Sequence, residues 1–354
     1  MNVTLTTSDL AHDKTPAASH PERTVDGLTR LHDAFEADLS RVNELIIERM
    51  DSPVAMIPQL ARYVVAAGGK RLRPLLTLAC ADLAGYTGDR HYGLAACVEF
   101  IHTATLLHDD VVDDSSERRG KASANAVFGN QASVLVGDFL FTRAFELMVA
   151  DGSLDVLSVL SKASATIAEG EVMQLATTNN IDTTEQQYLD VISGKTAVLF
   201  AAACEVGGLV AALPGDQAEK LRDFGHNLGM AFQLIDDVLD YGADRQDWGK
   251  EIGDDFREGK MTLPVVLAID AAKANRDQQQ VDFWQRTVGD LDQQDGDLDQ
   301  AMAYLSQHGC LQRTRERAQQ FATHAIAAIQ AVKGEGQTHD LLIAAVSASI
   351  DRRY

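Results

Sequence analysis

Two carboxylate clusters interrupt otherwise apolar runs in this 354-residue chain. The first follows Thr103-Ala-Thr-Leu-Leu107 as His108-Asp109-Asp110-Val111-Val112-Asp113. On a helix, Asp109 and Asp113 are four residues apart and share one face, about 5 to 6 Å apart at Cβ, where like charges repel. The second, Phe232-Gln-Leu-Ile-Asp236-Asp237-Val-Leu-Asp240, repeats the D-D-x-x-D spacing at the end of another apolar run. One such set is as well explained by a helix cap or a solvated face; two in similar apolar runs are not. A hard dication answers the repulsion, and Mg²⁺ suits it because it takes one or two carboxylates, keeps waters and shares substrate phosphate oxygens. The metal candidates are Asp109, Asp110, Asp113, Asp236, Asp237 and Asp240, holding two or three ions. Facing each other, two such clusters would grip a diphosphate and ionise the carbon–oxygen bond to it.

The rest of the charge pattern agrees. The chain carries 52 Asp and Glu against 31 Lys and Arg, a net charge of −21, so attraction to nucleic acid or anionic lipid is opposed. Basic residues nonetheless gather in short stretches, Lys70-Arg71-Leu72-Arg73 and Arg118-Arg119-Gly120-Lys121, and a small polyanionic substrate accounts for them. His102 stands about two helical turns before Asp109, near the same face, and is read as a diphosphate donor. His108 is given no chemical role. Asp290 to Asp299 resembles a calcium loop but fails its spacing and reads as a solvated acidic loop.

Helices must position these groups. Apolar residues make up 45% of the chain and aromatics 6%, with Ala, Leu and Val recurring at three or four residues, so an all-α fold is expected. The periodicity predicts helices over Val25–Arg49, Met56–Ala67, Arg73–Ala84, Tyr92–Asp113, Val134–Val149, Leu154–Leu175, Thr184–Leu213, Gln217–Tyr241 and Leu263–Ala272. They are read as one large bundle around a central apolar cavity, spanning residues 25–354. Residues 1–24, rich in Thr, Ser, Asp and Pro, read as a disordered tail. No run reaches the ~20 apolar residues of a membrane span, and no basic-then-apolar leader opens the chain, so the expectation is a cytoplasmic protein. The four cysteines are scattered and read as reduced and buried.

With these residues in view, the chain resembles the trans-isoprenyl diphosphate synthases, the polyprenyl synthetase family. The resemblance is carried by Gly68-Gly-Lys-Arg-Leu-Arg-Pro74, Glu99 to Asp113, Arg118-Arg-Gly-Lys121, Gly137-Asp-Phe-Leu140, Lys195-Thr196, Phe232 to Asp240 and Gly249 to Asp255, in order along the chain. It implies an isoprenoid synthase fold, a homodimer, and repeated condensation of isopentenyl diphosphate onto an allylic diphosphate. It also implies that Lys70, Arg73, His102 and Arg119 hold isopentenyl diphosphate, while Arg118, Lys195, Thr196, Gln233, Lys250 and Lys260 hold the allylic diphosphate. Catalysis would rest on Asp109, Asp113, Lys195 and Asp236. Small residues at Ala104 and Thr105, where short-chain relatives carry an aromatic, imply on the resemblance a long product of about eight units, with nine or ten as the alternative; Phe139, Phe141 and Phe145 are the available plugs deeper in. The pattern departs at Ser193-Gly194, before Lys195, and at Met261, after Lys260. A terpene cyclase would carry N-x-x-x-[ST]-x-x-x-E as its second motif, which is absent, and a non-catalytic subunit would not keep both aspartate clusters.

Overall fold

Apolar residues repeating every three or four positions fold as helices, because backbone groups then pair within the segment while one stripe is buried against a neighbour. A computed structural model shows the chain built in this way, and it describes residues 26–66, 69–118, 120–242, 252–334 and 336–351. The expected disordered tail, Arg119 and Lys250 lie outside the described residues.

The helices run in the order α1 (Gly27–Ala34), α2 (Glu36–Arg49), α3 (Met56–Ala66), α4 (Leu72–Leu83), α5 (Arg90–Val112), α6 (Ala124–Phe128), α7 (Asn130–Asp151), α8 (Leu154–Thr177), α9 (Glu185–Ile192), α10 (Val198–Val210), α11 (Gly215–Asp240), α12 (Asp254–Arg257), α13 (Leu263–Ala274), α14 (Gln278–Trp284), α15 (Asp297–Gln307), α16 (Cys310–Gln330) and α17 (Gln337–Ile350). The fold is all-α. Its only described strands are β1 (Glu117–Arg118) and β2 (Lys121–Ala122), a two-residue antiparallel ladder that folds back at Gly120, whose φ is 70°. Periodicity could not foresee so short a ladder.

α4 and α10 are buried almost all round and form the centre. α5 packs on α4, α7 and α10, while α11 lies between α10 and α16. One apolar cluster fills the space among α4, α5, α7 and α10. A second, with Tyr241, Phe256, Trp284 and α13, lies under the end of α11. Among the described residues no helix is long and apolar enough to cross a membrane.

Two of the predicted spans divide. Val25–Arg49 breaks at Phe35, whose φ of −115° and ψ of 18° leave the helical region between α1 and α2. Thr184–Leu213 contains a π-turn over Ser193–Ala197, closed by the Val198 N–H donating to the Ser193 carbonyl five residues back. A capping box of Thr184 and Gln187 starts α9.

Candidate active site

The last turn of α5 carries Asp109 and Asp110, and Asp113 caps the helix. Each of the three meets a cation from a different element. Asp110 is buried and takes a forked bond from Arg118, whose Nε and Nη2 reach Oδ1 at 2.8 and 2.7 Å. Its backbone carbonyl accepts from Asn125 Nδ2 at 3.0 Å. Asp109 and Asp113 turn outward only as far as the cleft, with 15% and 20% of their side chains exposed. Lys195 Nζ stands 3.6 Å from Asp109 and donates to Glu171 at 2.7 Å. Lys260 Nζ donates to Asp113 at 3.0 Å and pairs with Glu258 at 2.5 Å.

Burial raises the Asp109 carboxyl above its ordinary range, with the Lys195 ammonium pulling the other way. Burial, then the Asp109 charge, pushes Glu171 up to about 7. For Lys260 burial works downward, but the carboxylates of Asp113, Asp255 and Glu258 outweigh it and hold the ammonium above its usual value. Lys195 and Lys260 neutralise this pair of carboxylates.

The π-turn carries Lys195 and Thr196 as successive residues, and they reach the two clusters separately. Lys195 goes to Asp109, while Thr196 Oγ1 donates to Gln233 Oε1 at 3.0 Å and Gln233 Nε2 donates to Asp237 at 2.9 Å. This is possible because α8 passes close by: a Cβ on Gly170 would lie 2.5 Å from the Lys195 nitrogen. π-turns recur at functional sites. The second cluster divides differently, with its third aspartate buried as well as its second. Asp237 is buried and accepts from the Tyr188 hydroxyl as well as Gln233; burial pushes it up to about 7. Asp240 is buried and accepts from the Asp255 N–H at 3.0 Å, whereas Asp236 is half-buried. A cavity of about 140 Å³ is lined by Lys195, Thr196, Gln233, Asp237, Asp255 and Lys260, among others. Of the residues expected to hold the allylic diphosphate, the structure brings these four together; Arg118 is turned to Asp110.

On the α4 side, Arg73 Nη1 and His102 Nε2 share a hydrogen bond of 3.1 Å, and the Arg73 guanidinium covers the Phe200 ring at 4.4 Å. Lys70 is exposed beside them in sequence. Between Lys70 and Arg73, Arg71 adopts a left-handed φ of 46°, a conformation that disfavours a bulky residue. Its ion pair with the buried Glu99 carboxylate holds it there.

Several site residues were not anticipated from sequence. Glu99 had a signal, a carboxylate inside the buried run of α5. Glu171 and Tyr188 had none, being single polar residues whose partners lie 24 and 49 positions away. His108 packs on Gly137, where a Cβ would strike its imidazole, and so seats α5 on α7.

The donor set fits a hard dication. Asp109, Asp113 and Asp236, the carboxylates that are not fully buried, would offer oxygen ligands only, the kind that Mg²⁺ takes together with phosphate oxygens.

Residues 54–305 match the polyprenyl synthetase family model. The chain is 48% identical over 305 residues to the octaprenyl diphosphate synthase of Escherichia coli (strain K12), covering 86% of this chain and 92% of that one. Among solved structures, it superposes on a polyprenyl synthase from Caulobacter crescentus CB15, complexed with calcium and isoprenyl diphosphate, with a TM-score of 0.87 and 47% identity, over 94% of this chain and all of that one. A decaprenyl diphosphate synthase from Rhodobacter capsulatus gives 0.85 and 49%, over 92% and 98%. The two aspartate clusters, the π-turn between them and these likenesses over nearly the whole chain lead to one conclusion: the chain belongs to the polyprenyl synthetase family and is a prenyltransferase.

Proposed function

We propose that the chain is a long-chain all-trans-polyprenyl diphosphate synthase, which condenses isopentenyl diphosphate repeatedly onto farnesyl or geranyl diphosphate and yields octaprenyl diphosphate for a quinone side chain. One observation carries the reading. Successive residues of the π-turn join both aspartate clusters, and a separate basic pair, Arg73 and His102, stands two turns along α5. That is provision for two diphosphates beside one reacting centre. The E. coli likeness supports eight units, and likenesses to a nonaprenyl and a decaprenyl diphosphate synthase of R. capsulatus make nine or ten the competing outcome.

Asp109, Asp113 and Asp236 would hold magnesium, which when bound supplies the charge that stabilises a departing diphosphate. The calcium and isoprenyl diphosphate in the C. crescentus protein support that pairing. Asp110, Asp237 and Asp240 are engaged by protein donors and keep the carriers of the outward carboxylates in place. Lys195 and Lys260 turn from carboxylates to the allylic diphosphate, which Thr196 and Gln233 orient. Arg73 and His102, with Lys70, hold isopentenyl diphosphate so that its double bond faces the allylic carbon. The carbon–oxygen bond breaks, the new carbon–carbon bond forms, and the released proton goes to the departing diphosphate.

The homodimer expected from the resemblance finds support on the outer faces of α7 and α8. Leu135 and Leu154 are 68% and 80% exposed there, with Val149, Val172 and Leu175 also exposed, and such apolar surface marks an interface.

Incubation with isopentenyl and farnesyl diphosphates, followed by reversed-phase chromatography of the products, tests the reading. The expected product is the eight-unit diphosphate. Cyclised hydrocarbon, or chains that stop after one addition, would overturn it.

A further inference from the structure

A π-turn is less favourable than the α-helix it interrupts and has to be held from outside. The turn over Ser193–Ala197 is held on two sides. α8 presses on it through Gly170, which lies against Lys195 and Gly194. α11 presses on it through Gly229, where a Cβ would lie 2.7 Å from the Ala197 Cα. One side-chain tie adds to this packing: Ser193 Oγ and His226 Nε2 share a hydrogen bond of 2.9 Å. A serine hydroxyl in a helix ordinarily bonds back to a carbonyl three or four residues earlier. Ser193 reaches across to α11 instead.

The register on α11 gives the tie its meaning. His226 and Gln233 are seven residues apart, two turns along one face. His226 holds the first residue of the π-turn, and Gln233 holds Thr196. Lys195 lies between these attachments, with its nitrogen against Gly170, so its Nζ is aimed at Glu171 and Asp109 from a base fixed at three points. Neither Ser193 nor His226 lines the cavity that Lys195 and Thr196 enter. Burial lowers the His226 pKa, with Asp223 and Arg222 on its own helix acting in opposite directions; the neutral ring is a ready partner for a hydroxyl.

We propose that Ser193 and His226 are positioning residues for the allylic half of the site, setting the aim of Lys195 and Thr196 without touching substrate. The inference rests on the proposed role of those two residues in holding the allylic diphosphate. Ser193-Gly194 is also where the sequence departs from the family pattern, so the device belongs to this chain's own version of the site.

The test is the Michaelis constant for each substrate in Ser193→Ala, His226→Gln, Ser193→Thr and the double variant Ser193→Ala/His226→Gln, with Lys195→Ala measured alongside. Ser193→Ala should raise the KM for the allylic diphosphate about fivefold, the factor that corresponds to one hydrogen bond of ~1 kcal/mol. The KM for isopentenyl diphosphate should not move. Ser193→Thr, which keeps the hydroxyl, should restore the allylic KM, and the double variant should be no worse than Ser193→Ala. Should Ser193→Ala fail to fold, His226→Gln alone carries the comparison. Equal rises in both constants, or a lowered melting temperature with neither constant changed, would overturn the pair. If Lys195→Ala raises the allylic KM selectively and Ser193→Ala does not, the positioning role fails alone; if Lys195→Ala leaves that KM unchanged, the allylic assignment itself fails.

Discussion

Asp109 and Asp110 are neighbours on α5 with opposite surroundings, so the same substitution has two different effects. Asp109 faces outward against a lysine, and Asp109→Ala should reduce turnover by several orders of magnitude while leaving the melting temperature near that of the parent. Asp110 is buried under the Arg118 fork. Asp110→Ala leaves a guanidinium without its carboxylate and should lower stability by about 3 kcal/mol, read in denaturant melts. Near-normal turnover of Asp109→Ala at saturating magnesium would remove the metal assignment. Glu171 adds a pH dependence. Its carboxyl titrates near 7 in the fold, against an ordinary 4.5, so the folded state favours the neutral form. That contribution to stability is present in full below about 4.5 and is lost as pH rises through about 7. Melting temperatures of the ligand-free protein should therefore fall less between those limits in Glu171→Gln than in the parent. Asp237 titrates in the same sense and remains in both proteins, so the comparison isolates Glu171. Identical pH profiles would show that Lys195 keeps Glu171 ionised throughout.

At the scale of the elements, the site depends on how closely α8 approaches the π-turn. In Gly170→Ala the added carbon would meet the Lys195 nitrogen at 2.5 Å and the Gly194 carbonyl carbon at 2.8 Å. Both are backbone atoms and cannot turn aside. The helices must separate, at about 1 to 3 kcal/mol, and Lys195 moves with them. A lower melting temperature together with a raised KM for the allylic diphosphate is expected; no change in either would reveal slack between α8 and the turn. This contact also marks the limit of what the sequence could disclose. The apolar stripes of α5, α8 and α11 were legible to within a few residues, since each buries a face against a neighbour. The aspartate clusters were legible because charge stands out in an apolar run. One residue inserted to make a π-turn leaves the periodicity from Thr184 to Leu213 looking continuous. The inward or outward turn of each aspartate was likewise hidden, because it depends on Arg118, Tyr188 and Asp255, which the fold brings in from elsewhere.

Across the whole molecule, product length becomes a question of distance along α5. Eight isoprene units, at about one helical turn of 5.4 Å each, need roughly 43 Å, whereas the helix rises only about 24 Å over the sixteen residues from Asp109 back to Gly93. On the proposed function the tail must pass Thr105, which is half-buried on the stripe below Asp109. Ala104 is fully buried on the neighbouring stripe, with Cys97, which donates to the Ala144 carbonyl of α7 at 3.4 Å, and His108. Of the expected plugs, Phe145 is 40% exposed, while Phe139 and Phe141 pack on the core. On the same proposal the last units need room beyond Gly93, and a cavity of about 430 Å³ opens at that end of α5, lined by Leu45, Tyr92, Gly93, Leu94 and Leu147 and also by charged side chains that include Arg41, Glu44 and Asp89. None of the aspartates of either cluster lines it. Thr105→Phe should stop growth within the first few units, and Ala104→Phe should do so by pushing α7 aside, with a lower melting temperature that distinguishes the two. Gly93→Trp is the decisive variant. Open space surrounds a Cβ at that position, so the indole can enter the cavity without a backbone clash, and Gly93 lies in the first turn of α5, where losing a glycine does not cost the helix. The product should shorten to about four or five units, the number that fits between Asp109 and Gly93, with the first condensation unimpaired. An eight-unit product from Gly93→Trp would mean that the tail leaves α5 before reaching this end.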